Sequence, residues 1–190
     1  KVIPLNWFSM DQKFCDWGNN FILSDDLKKT WGIKYTFGDF LKYHQGSSIC
    51  GLSLGFKLIQ KLTVYFKDYF PKSDIKIYGS FGGPGMRDAF DYIFRGKENE
   101  SNFIFKKDLN INLECSEAPI GNYGYEIKTS NRIIHISVKP KVVKKEFLKV
   151  IRARNDGKGD PRTVTQLQLE MCQRILPIPS DEICNSIEIL

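Results

Sequence analysis

No two of the five cysteines, at 15, 50, 115, 172 and 184, form a CxxC pair or a zinc-ribbon spacing. Their odd number argues against a simple disulfide framework, and free cysteines of this kind usually serve as small buried hydrophobes. Cys172, inside a helical pattern, fits that role best. No apolar run approaches the ~20 residues that a membrane span requires, which places the chain in water. No GxGxxG is present, and no Gly-Lys-Ser/Thr follows the glycine-rich turn at 82–85, so neither a dinucleotide fingerprint nor a P-loop is signalled. Nucleic-acid motifs are missing too. The formal charge is +6, but Lys is spread along the whole chain, so the excess reads as a solvated surface, not a nucleic-acid footprint. There is no internal repeat or low-complexity stretch. The first residue is Lys1 and not Met, which leaves open a cytoplasmic chain or an exported one that has lost a signal peptide.

What is present supports an ordinary folded domain. Hydrophobic residues make up 42% and charged residues 26% of 190 positions, enough for one core. Residues 1–38 show no sustained period. Trp7, Phe8, Phe14, Trp17, Phe21 and Trp31 are scattered among polar residues there, which predicts an irregular aromatic wrap, with Trp7 or Trp17 as candidates to line a cleft. Residues 39–140 read as an α+β core and 141–190 as a helical closure, all within one compact domain.

A short helical turn is expected over Asp39–His44, then a polar turn at Gln45–Ser48. A long helix follows from Gly51 to Phe70, with Leu52, Phe56, Ile59, Leu62, Phe66 and Tyr69 at spacings of three and four and Pro71 as its stop. Gly51 and Gly55 lie one turn apart, a spacing that permits close backbone approach. Ile75–Phe81 alternates as a strand, and Gly82–Gly85 is a tight turn. Met86, Ala89, Phe90 and Ile93 form the apolar face of a helix to Arg95. Its other face predicts charge pairs Arg87–Asp91 and Asp91–Arg95. Phe103–Phe105, Ile111–Cys115, Tyr123–Ile127 and Ile133–Val138 read as successive strands, hence antiparallel hairpins. His135 is expected as a half-buried sheet histidine. Val142–Arg154 is amphipathic. Asp160-Pro161 opens a final helix carrying Val164, Leu167, Met171 and Ile175, and Ser180–Leu190 ends the chain as a strand or turn. The expected class is α+β, an antiparallel sheet with helices packed on it.

Chemistry concentrates at Tyr43–Phe56. A His, small polar residues, a Cys and a Gly-x-x-x-Gly step meet there at the start of an apolar helix. The turns Gln45–Ser48 and Gly82–Gly85 both precede helices, so both offer free backbone N–H groups to a small ligand, an anion included. Candidate ligand-binding residues are Tyr43, His44, Gln45, Ser47, Ser48, Gly83, Gly85, Arg87 and Asp88. His44 with Cys50 is the one visible Cys–His pair and the candidate catalytic couple, with no orienting third residue evident.

The element order, and several segments in register, resemble the FmdE family, which takes its name from a component of molybdenum or tungsten formylmethanofuran dehydrogenase. Gly51-Leu52-Ser53-Leu54-Gly55 with Phe56 matches the family's Gly-x-x-x-Gly and the aromatic after it, and Phe40–His44 its lead-in. Asp88-Ala89-Phe90, Asn102–Lys106 and Cys172–Leu176 resemble later family segments, so the likeness spans about residues 37–185. The family's hallmark is His-Gly-His-x-Cys-Pro before the first glycine. Here its His positions fall on Gln45 and Ser47 and its Cys on Ile49, with His44 and Cys50 each one residue out of place. The resemblance therefore implies an FmdE-like ligand-binding or accessory protein in anaerobic one-carbon or redox metabolism, or in uptake of a metal-containing cofactor. Its cleft would lie between residues 44–51 and 82–88. It implies a homo-oligomer or a member of a complex. The favoured reading is a cleft that lost its metal. In the alternative, His44 and Cys50, completed by Cys115 or His135, hold zinc or haem in a redox or enzyme domain.

Overall fold

A computed structural model describes residues 21–24, 32–66, 75–94 and 101–189. Trp7, Trp17, Trp31, Tyr69, Pro71 and Arg95 lie outside the described residues, as do the readings placed on them. The class is α+β. In chain order the elements are β1 (Phe21–Ser24), β2 (Gly32–Tyr35), α1 (Phe37–His44), α2 (Ile49–Leu62), β3 (Lys76–Gly79), α3 (Pro84–Ile93) and β4 (Phe103–Phe105). They continue with β5 (Gly124–Lys128), β6 (Ile133–Val138), α4 (Lys145–Asn155), α5 (Pro161–Ile175), α6 (Ser180–Ile183) and β7 (Cys184–Ile189). No helix among the described residues is long and apolar enough to cross a membrane.

The stretch expected to be irregular contains one regular unit. β1 and β2 pair antiparallel, from Phe21 opposite Tyr35 to Ser24 opposite Gly32. The main sheet has the order β4-β3-β5-β6-β7. β3, β5, β6 and β7 pair antiparallel in turn. β4 is parallel to β3, which corrects the expectation of hairpins throughout. The reason lies between them: α3 carries the chain back across the sheet, and a helical crossover is what returns a strand in parallel. Ile111–Cys115 is not a strand. Its main chain is tied to β6 by mixed bonds, Asn112 N–H donating to His135 and the Ser137 hydroxyl donating to Glu114 O.

α1 starts with a capping box. Thr36 Oγ1 accepts from Asp39 N–H at 3.3 Å, and Asp39 Oδ2 accepts from Thr36 N–H at 2.9 Å. It ends where Gln45 turns left-handed, with φ 46°. α2 is buried on nearly every side, as a helix apolar all round must be. It is packed by α1, α3, α5 and α6 and lies on β6 and β7. It stops at Leu62, short of the expected Phe70, because Thr63–Tyr65 turn away. One core runs from Phe37 to Cys184 and takes in Met86, Ala89, Phe90 and Ile93. The expected Arg87–Asp91 pair is not formed: Arg87 lies over the Phe103 ring at 5.9 Å, and Asp91 accepts from Ser101 Oγ at 2.8 Å.

Candidate functional site

The site begins with the contact between α2 and α3. A Cβ at Gly85 would overlap the Ser48 carbonyl oxygen and come within 2.6 Å of Leu52 N. One at Gly55 would stand 2.5 Å from Ala89 Cβ, and one at Gly51 3.4 Å from Met86 N. Glycine at these positions lets the two first turns meet backbone to backbone. The helix N-termini therefore lie side by side. Neither is capped by its own N-cap residue, Ser48 or Gly83, and neither carries an acid in its first turn. Pro84 at the start of α3 has no N–H to satisfy.

His44 fastens this arrangement. Its Nε2 accepts from Ser48 N–H at 3.1 Å, so the proton sits on Nδ1, which donates to Asp88 Oδ2 at 2.6 Å. Gly46 covers the ring, since a Cβ there would lie 2.8 Å from Cε1. Asp88 is thus the orienting carboxylate that no local spacing revealed. Yet the nitrogen that would take a proton from a nucleophile is already bonded to the main chain.

Cys50 points into the core, 1% exposed, with its thiol pushed up to about 12 by burial against a smaller opposing pull from Arg174. Its N–H donates to Gln168 Oε1 at 2.8 Å. Cys115 donates its thiol to Leu113 O at 3.3 Å, and burial raises it as well. His135 Nδ1 accepts from Asn112 N–H at 3.1 Å, so its Nε2 faces Glu126 Oε2 at 3.4 Å as donor. These four residues stand in separate bonding neighbourhoods. Among the described residues, no group of three or more His, Cys, Asp or Glu side chains is placed to hold a metal ion.

Beside the paired N-termini lies a cleft of about 180 Å³. Ser48, Gly51, Gly83 and Gly85 form its floor, and Phe81, Tyr123, Phe147 and Ile151 its apolar walls. Three polar side chains of the C-terminal helices also reach it, Arg154 and Asn155 of α4 and Gln168 of α5. Arg154 donates through Nε and an Nη to Asn155 Oδ1 at 3.3 and 2.9 Å, and has no carboxylate partner among the described residues. Gln168 is 5% exposed and is anchored by the Cys50 N–H bond.

No family model and no curated protein matches this chain. The site is therefore read from its own chemistry. Of the residues singled out in the sequence, Ser48, Gly83 and Gly85 line the cleft. His44 and Asp88 fasten the turn beneath it. Gln45 and Ser47 are exposed on that turn. Tyr43 packs on Tyr92 with ring centres 5.1 Å apart, and Arg87 is committed to Phe103. Sequence reasoning missed the walls and the C-terminal polar groups Arg154, Asn155 and Gln168. One signal was available: Gln168 is a polar residue on the buried stripe Val164, Met171, Cys172 and Ile175.

Proposed function

We propose that this chain is an FmdE-like binding or accessory protein that holds a small ligand, anionic at one end and apolar at the other, in the cleft above Ser48 and Gly85. One observation carries the reading: two acid-free helix N-termini, neither bonded by its own N-cap side chain, and an arginine without a carboxylate partner among the described residues converge on one apolar-walled cleft. Each helix N-terminus acts as roughly half a positive charge, worth ~0.3–1 kcal/mol toward an anion and up to ~2 kcal/mol where partly buried. The guanidinium adds a full charge. The FmdE-like part rests on the residues that meet here, Gly51 and Gly55 of one motif against the Asp88-Ala89-Phe90 helix. Zinc or haem on His44 and Cys50 would require His44 to give up its bonds to Ser48 and Asp88 and the buried Cys50 thiol to lose its proton.

Calorimetric titration with a panel of short aryl and alkyl carboxylates and phosphate monoesters, each beside its neutral amide or alcohol, tests the proposal. The anions are expected to bind and the neutral partners not. Arg154→Ala is expected to weaken binding about tenfold, or ~1.4 kcal/mol. An absence of anion binding at millimolar concentration, or equal binding of anion and neutral isostere, would overturn it.

A further inference from the structure

The polar side chains that line the cleft are Arg154, Asn155, Gln168 and the Ser48 and Tyr123 hydroxyls; each can donate, and the Asn155 Oδ1 acceptor is spent on Arg154. Gln168 decides the pattern. Its Oε1 is spent on Cys50 N–H, which fixes the amide's orientation and leaves the NH2 group as the other end. That group has no hydrogen-bond partner among the described residues. No fully enclosed side-chain nitrogen or oxygen lacks a partner there. The Gln168 NH2 therefore keeps contact with open space, and the space that Gln168 borders is the cleft. A side chain 5% exposed has little other outlet. The N–H groups of Gly51 and Gly85, in the first turns of α2 and α3, likewise have no acceptor among the described residues. Arg154 is the one charged side chain lining the cleft.

Such a set matches an acceptor-only group of single negative charge. A carboxylate offers two oxygens, accepts from both an amide and a guanidinium, and balances one cation. A phosphate monoester brings a second charge, for which the cleft supplies no second cation. The volume sets the rest: about 180 Å³ is close to the ~150 Å³ of a cavity that accepts benzene, room for one ring or a short branched chain. The walls are Phe81, Tyr123, Phe147 and Ile151, with Phe81 and Tyr123 edge to face at 5.0 Å. We infer that the ligand class is a small aryl or branched-alkyl monocarboxylate, with Gln168 as the residue that selects carboxylate. This rests on the anion-binding reading of the cleft and narrows it.

The test uses the purified chain with three probes of one ring size: benzoate, benzamide and phenyl phosphate. Benzoate is expected to bind at least tenfold more tightly than either of the others. Gln168→Glu keeps an oxygen for Cys50 N–H and removes the two donors, so benzoate binding should fall more than tenfold. Gln168→Ala, which buries no new charge, should lose about threefold to tenfold and decides the matter if Gln168→Glu does not fold. Phenyl phosphate binding tenfold tighter than benzoate, or benzoate binding unchanged in Gln168→Ala, would sink the carboxylate assignment while leaving an anion cleft in place. Failure of benzoate and phenyl phosphate alike would remove both.

Discussion

Lys57 sits in the middle of α2 with 1% of its surface exposed and no hydrogen bond or ion pair among the described residues. Burial pulls its amine down to about 8 from 10.5, with the neighbouring Cys184 sulfur opposing. The sign follows from proton counting. Below pH 8 folded and unfolded chains both carry the proton, and the folded chain bears the cost of the buried charge. Between 8 and 10.5 the unfolded chain alone holds it, so stability rises with pH across that window. Lys57→Met removes the buried charge while keeping the length of the side chain. It is expected to stabilise the protein by up to about 3 kcal/mol at pH 7, since the amine is shifted from 10.5 to about 8 and each pKa unit is worth ~1.4 kcal/mol. The gain should shrink as pH climbs toward 10.5. Urea midpoints at pH 7 and pH 10 measure this; an equal gain at both would mean that packing, not charge, sets the effect. His44 belongs to the same scale. Its chemistry is decided by what its two nitrogens bond, and Asp88 is 44 positions away in the chain.

At the scale of elements, the α2–α3 contact is where glycine spacing becomes structure. Gly51 and Gly55 were legible as a close-approach pair because a one-turn spacing puts both on one helix face. The partner, Gly85, was legible only as part of a turn, yet it is the position with least room. Gly85→Ala would drive a methyl into main-chain atoms that cannot move independently, so a loss of about 3 kcal/mol is expected. Gly51→Ala meets Met86 N at an ordinary 3.4 Å. It should be neutral or stabilise by up to ~1 kcal/mol through helix propensity. Equal losses at the two positions in chemical denaturation would contradict this packing. The ends of elements were less legible. α5 began where Asp160-Pro161 said, because the cap is local chemistry: Asp160 accepts from Arg162 N–H and Thr163 N–H. α2 ended eight residues before the expected Phe70, because Phe66 and Tyr69 continue an apolar spacing although the backbone has already turned at Thr63.

Taken as a whole molecule, the cleft joins the two halves of the chain. Its floor comes from the starts of α2 and α3, while Arg154, Asn155 and Gln168 come from α4 and α5. A ligand there binds only when both halves are in place, so it must stabilise the entire fold. Benzoate at a hundred times its dissociation constant should add ~2.7 kcal/mol. For a chain of this length that is a rise of roughly 5–10 °C in melting temperature, and the rise should be much reduced in Arg154→Ala. A rise of equal size in that variant would place the ligand elsewhere.

The α+β class, the apolar helix after Ser48, the capped start of α5, the strand at Ile133–Val138 and the glycine pair follow from the amino-acid sequence alone. Each depends on neighbours two to four positions apart, where periodicity and capping act. The parallel seat of β4, the carboxylate behind His44, the burial of Cys50 and the arrival of Arg154 and Gln168 at the cleft were settled only by the tertiary structure. Each of these depends on how elements pack across long separations, 118 positions between Cys50 N–H and Gln168 Oε1. No local pattern encodes which distant side chain will fill a given space.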